Sequence, residues 1–155
     1  MARKVIVLQG DPLRDESKVA AAATTIFPGD LVEAAATAGE VQEHGTVDVN
    51  AEAVFALENP WIESAPGVLS IDTVYPAADS VLLARCKRGD KINARIAANE
   101  TLSEGDALSS AGDGTLHALP TAAATPDTAR ESIVAYAAED ITIGGTIGRG
   151  AVRVA

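Results

Sequence analysis

Two histidines, His44 and His117, one cysteine, Cys86, and 22 acidic residues are the groups on which acid–base, nucleophilic or metal chemistry would have to rest. No Cys/His spacing suits zinc. Each histidine has small or apolar neighbours, which fits a hydrogen-bonded strand or turn residue better than a base or a ligand. Cys86 stands between Arg85 and Lys87, whose charges favour a thiolate, but it has no histidine neighbour and reads as a packed or idle thiol. The acidic pairs Asp15-Glu16 and Glu139-Asp140 are adjacent, so in an extended chain they point to opposite faces and do not converge. Asp11, Asp30, Asp90, Asp106 and Asp113 each follow a glycine, which is turn grammar and not a calcium loop. Gly144 to Gly150 has the glycines of a phosphate loop without its Lys-Ser/Thr ending or its following helix. Arg88-Gly89-Asp90 matches an adhesion tripeptide, but three residues among so many Gly-Asp turns carry no weight. The expectation is no enzyme, no cofactor and no metal, and a structural or binding role.

The elements that would position these residues are short strands between turns. Ile92, Ala94 and Ile96 alternate with Asn93 and Arg95, the period of a strand with one buried face. Turns are expected at Phe27-Pro28-Gly29-Asp30, Gly89-Asp90, Gly105-Asp106 and Gly112-Asp113-Gly114, where glycine supplies positive φ and aspartate bonds its own backbone. Further strands are expected at Val5–Leu8, Leu31–Glu33, Val41–His44, Ala53–Pro60 (closed by its proline), Ser80–Cys86, Ile133–Asp140 and Thr146–Val154. Between Leu13 and Thr25 the Ala-rich composition favours a helix, whereas the missing 3.6-residue periodicity favours an extended arm; both stay open. Loops are expected from Trp61 to Ser70 and from Pro120 to Asp127. Segments so short and evenly spaced indicate an all-β sandwich or barrel with at most one or two short helices.

An internal echo accompanies this pattern. Gly29-Asp30-Leu31-Val32 followed by Phe55-Ala56-Leu57-Glu58-Asn59 is matched by Gly105-Asp106-Ala107-Leu108 followed by Tyr136-Ala137-Ala138-Glu139-Asp140. It suggests one duplicated β unit wrapped into a single barrel.

The 155 residues fit one domain, read as an N-terminal arm over 1–26 and a β-rich domain over 27–155. Aromatic content of 3% leaves a core of small aliphatic side chains, so each monomer is expected to lean on neighbours. A net charge of −10 repels phosphate backbones and anionic lipid, which argues against nucleic-acid and membrane partners. The apolar run near the N-terminus is too short for a signal peptide or a span, so synthesis in a host cytoplasm is expected.

Val5-Ile6-Val7-Leu8-Gln9-Gly10-Asp11-Pro12-Leu13-Arg14 and Phe27-Pro28-Gly29-Asp30-Leu31-Val32-Glu33 resemble the opening of tailed-phage capsid decoration, or head cement, proteins. The likeness continues through Ala56–Asn59, Ile71–Tyr75, Arg88–Asp90, Glu100–Leu108 and Gly112–Leu116, so order and spacing carry it over nearly the whole chain. The resemblance implies a small β-barrel or β-tulip-like fold that associates as a homotrimer. It also implies a place on the exterior of an icosahedral virion, where it stabilises the major capsid protein lattice. An N-terminal arm commonly reaches a neighbour in such proteins, which makes Val5, Ile6, Val7, Leu8 and Leu13, with the lone Trp61, the candidates for capsid or subunit contacts. The Trp61–Gly67 loop and the loop after Pro120 depart from the simpler family pattern.

Two rival readings belong to other classes. A carbohydrate- or receptor-binding β module of a virion fibre or tail needs exposed aromatics, and Trp61, Tyr75 and Tyr136 are those on offer. An enzyme on a β-clip scaffold needs converging polar groups, which the spacing does not supply.

Overall fold

The structure, a computed structural model, describes residues 5–21, 24–60, 70–120 and 131–155. It is mainly β. The strands are β1 (Val7–Gln9), β2 (Leu13–Ala20), β3 (Val32–Ala34), β4 (Glu40–Glu43), β5 (Val54–Ala56), β6 (Ser80–Arg85) and β7 (Lys91–Ile96). They continue as β8 (Thr101–Leu102), β9 (Ala107–Ser110), β10 (Leu116–Ala118), β11 (Ala135–Ala137), β12 (Ile141–Thr142) and β13 (Gly148–Val154), with a 3₁₀ turn at Ser70–Asp72.

Five strands close into a barrel in the order β7-β10-β9-β11-β13, with β13 returning to β7. Closure leaves these strands few unpaired edges. The other large sheet runs β3-β4-β2-β6-β5, and a bridge between Leu31 and Phe55 joins its two ends. The two rings share one topology: β3, β4, β2, β6 and β5 stand where β9, β10, β7, β13 and β11 stand in the other. In each ring one pair is parallel, β2 with β4 and β7 with β10, and the remaining pairs are antiparallel. The register agrees too, since Leu31 faces Phe55 as Ala107 faces Tyr136. The echo in the sequence is therefore a repeat of the fold, though it builds two rings and not the single barrel expected from it.

One turn recurs in both rings. Gly29 and Gly105 have φ of 90° and 96°, a region that favours glycine. The carboxylate of Asp30 accepts the Phe27 N–H at 2.7 Å, and that of Asp106 accepts the Ser103 N–H at 2.8 Å. Gly29 and Gly105 each donate their N–H to the incoming strand, at Ala56 O and Ala137 O respectively. A third copy is Lys87–Asp90, with Gly89 at φ 93° and the Lys87 N–H on the Asp90 carboxylate at 2.8 Å.

Strands β5 and β6 lie between the rings, which is why they read as unbroken apolar runs. Val54, Ala56, Val81 and Leu83 pack inside the N-terminal ring with Val32, Val41 and Tyr75. Phe55, Leu82 and Ala84, on the opposite phase of the same strands, pack with Ile92, Ile96, Leu108, Leu116 and Val152 of the C-terminal ring. Alternation sends one phase to each core.

The segment read as an arm supplies two strands to this body. β1 pairs antiparallel with β7, and β2 pairs with β6 along Leu13–Val19 and with β4 at Val19 and Ala20. The region from Leu13 to Ala20 is extended and not helical. Its physical reason is ring closure, since the N-terminal half has only four other strands to make a ring of five.

Candidate functional site

The polar side chains gather where the two rings meet. Asp30, fully buried, receives Arg95 Nη1 on Oδ1 at 2.7 Å, and the Arg95 guanidinium lies 4.2 Å from the centre of the Phe27 ring. The backbone follows the side chains: Arg95 donates its N–H to Gly29 O, and Leu31 donates to Gly114 O. The N-terminal ring's turn is thus wedged between β7 and the strand entering β10. Burial pushes the Asp30 carboxyl up to about 7, with the Arg95 charge and the Phe27 N–H pulling it down.

Two further clasps use the histidines. His44, at the end of β4, places Nδ1 2.8 Å from Ser110 Oγ on β9, and its Nε2 lies 3.5 Å from Glu33 Oε2. The following segment crosses over, bridging Val47 to Ala111 and donating Asp48 N–H to Ser110 O. Asp48 Oδ1 then accepts from Ser109 Oγ at 2.5 Å and lies 2.8 Å from His117 Nε2. On the far side Arg149 of β13 donates to Asp72, Pro28 O and Ile71 O.

Ser110, His44 and Glu33 stand in the order of a nucleophile, base and acid. The geometry turns the serine away from such use. Ser110 has no exposed surface, and its Oγ also accepts the Gly112 N–H at 3.2 Å. The nearby groove, of about 210 Å³, is lined by His44, Glu33, Asn50, Glu52 and Arg85 but not by Ser110. The trio stitches rings; it does not present a nucleophile to a substrate.

The other residues singled out in the sequence fall as follows. Ile6 is fully buried in the core, Val7 and Leu8 are half-buried, and Val5 and Leu13 are 50% and 63% exposed. Trp61 lies outside the described residues. Asp90 is 8% exposed and its carboxylate is bound inside its own turn, so Arg88-Gly89-Asp90 offers no free acid for adhesion. Glu139 accepts the Ala151 N–H and Asp140 the Glu104 N–H, so that pair diverges as adjacency requires. Gly148 and Gly150 open β13 and lie against Ile143 and Ile141, where a β-carbon would collide. Tyr75 is fully buried, leaving Tyr136 at 40% as an exposed aromatic among the described residues. No group of three or more metal-binding side chains occurs among them.

Burial pushes the Cys86 thiol up to about 12, with Asp90 adding to the shift, so the basic neighbours do not activate it. Native protein at pH 8 is expected to resist iodoacetamide, and denatured protein to label fully. Rapid native labelling would show that the thiol is not shielded.

Arg95, Asp30, Asp48 and Ser110 form a junction that the sequence does not signal. Arg95 sits on the polar phase of an alternating strand and Asp30 reads as turn grammar; nothing local announces that the two meet. Scans against protein-family models and curated proteins return no match for this chain.

Proposed function

We propose that this chain is a virion structural protein that binds the outer face of an icosahedral capsid as a homotrimer and stabilises the shell. The ordered likeness to phage decoration proteins supports this reading. The observation that carries it is where the polar chemistry goes: the ion pair, both histidines and Arg149 are spent on locking the barrel to the N-terminal sheet. A body locked in this way loses little conformational freedom when it docks, which suits a clamp between neighbouring capsid subunits. An acidic surface keeps decorated particles apart in solution.

Sedimentation with undecorated shells tests the proposal. The purified protein is expected to pellet with shells and to raise their thermal midpoint as its concentration rises. Failure to bind any shell overturns it. Residues 6–9 are part of the folded body, so deletion of 1–12 would test folding; deletion of 1–4 tests whether the terminus touches the shell.

A further inference from the structure

The ladder between β7 and β13 sets like charges opposite each other twice. Arg95 faces Arg149, and further along Lys91 faces Arg153. All four side chains belong to the outward phase, since Ile92, Ile96, Val152 and Val154 pack in the barrel core on the other. Like charges directly across a ladder cost stability, so each pair needs a reason to persist.

For the first pair the reason lies inside the chain. Arg95 meets the Asp30 carboxylate at 2.7 Å, and its guanidinium lies 4.2 Å from the centre of the Phe27 ring. Arg149 meets the Asp72 carboxylate at 2.8 Å and donates to Pro28 O and Ile71 O. That end of the ladder is covered by carboxylates, carbonyls and an aromatic ring from the N-terminal half.

The second pair has no such cover. Arg153 is exposed and Lys91 half-buried, and among the described residues neither makes an ion pair. Gln9, Lys91, Arg153 and Tyr136 stand side by side in one row across β1, β7, β13 and β11, with Tyr136 40% exposed. The turn leading into β7 adds Lys87 and Arg88, both exposed, and Gly89 ties that turn to the end of β13 by donating its N–H to Val154 O. The acid of the turn, Asp90, is 8% exposed and occupied with the Lys87 N–H. Lys87, Arg88, Lys91 and Arg153 therefore gather at one corner of a chain whose net charge is −10.

We propose that this corner of the barrel docks an acidic segment of a different protein, whose carboxylates stand to Lys91 and Arg153 as Asp30 and Asp72 stand to Arg95 and Arg149. The proposal concerns the partner's chemistry and goes beyond the capsid reading, on which it does not rest. Charge complementarity favours a carboxylate-bearing segment over a polynucleotide. The patch is only roughly 10 Å across two strands and a turn, and the acidic remainder of the chain repels a phosphate backbone that runs past it. Arg153 beside Tyr136 supplies the side-chain types that anchor interfaces.

The probe is fluorescein-labelled hexaglutamate, read by anisotropy at low salt. The parent chain is expected to bind it, and Lys91→Glu or Arg153→Glu to weaken binding about tenfold or more. Lys18→Glu changes the net charge equally and is expected to weaken binding less than about twofold. Arg153→Glu is also expected to raise the urea midpoint, because opposite charges then face each other across the ladder. No peptide binding by the parent, an equal loss in Lys18→Glu, or a lowered midpoint in Arg153→Glu overturns the proposal. Tighter binding of single-stranded hexathymidylate would overturn it in favour of a polyanion site, and loss of self-association in Arg153→Glu in favour of a second copy. Peptide binding by a chain that ignores shells would sink the capsid reading and leave this one standing.

Discussion

Arg95→Leu is expected to lower the stability of the folded chain by about 3–5 kcal/mol at pH 8, because it leaves a buried carboxylate without its counter-charge. Asp30 has no exposed surface, and Arg95 and the Phe27 N–H are its charge partners. The penalty will depend on pH. The Asp30 carboxyl is pushed up to about 7 by burial, above its ordinary value of 3.8. A carboxyl raised on folding contributes stability that is fully present below its unfolded pKa and is lost as pH rises through the folded one. In the parent chain this group therefore makes stability fall between about pH 4 and pH 7. Removing Arg95 takes away the strongest influence holding the value down, so in the variant the loss continues above pH 7. The difference between parent and variant should be small at pH 5 and large at pH 8. Glu43, also raised by burial and held down by Arg95, adds to the same slope. Asp30→Asn separates the two, and the double change Asp30→Asn/Arg95→Leu should be more stable at pH 8 than Arg95→Leu alone. Urea unfolding at three pH values reads all of this. A penalty that does not change with pH would refute the burial argument.

The alternating strand Ile92–Ile96 and the apolar run Ser80–Arg85 are legible in the sequence alone. So are the Gly-Asp corners, whose carboxylates cap the turns through local bonds that need no distant partner. What failed was β2. Its sequence, Leu-Arg-Asp-Glu-Ser-Lys-Val-Ala, is polar and of fair helix propensity, and a register shift between Asp15 and Lys18 breaks the period of two. Without β2 as a strand the N-terminal half has too few strands for a ring of its own, which is why the echo reads as one barrel. The junction was illegible for another reason. Asp30 and Arg95 are 65 positions apart, and His44 and Ser110 are 66 apart, so no local pattern reports them. Only the closing of both rings brings them together.

Phe55→Ala and Tyr136→Ala should separate sharply although the repeat makes the two positions equivalent. Both stand on the strand that crosses the Gly-Asp turn, Phe55 facing Leu31 and Tyr136 facing Ala107. Phe55 has no exposed surface and packs in the cluster that joins β5 and β6 to the C-terminal ring. Its truncation opens a cavity between two closed walls that cannot collapse without parting the rings, so about 3–5 kcal/mol is expected. Tyr136, 40% exposed, leaves its space to solvent, and about 1 kcal/mol or less is expected of the dilute chain. Urea midpoints of both variants, taken at concentrations too low for self-association, make the comparison. The unfolding slope adds a second reading: a chain whose rings are locked together loses both in one transition, so Phe55→Ala should move the midpoint and keep the slope. Two transitions in Phe55→Ala would mean that each ring stands alone, and equal losses at the two sites would mean that the rings do not shield Phe55. A low cost at Tyr136 beside a high one at Phe55 would show that burial between the rings, and not the repeat position, sets what each aromatic contributes to the fold.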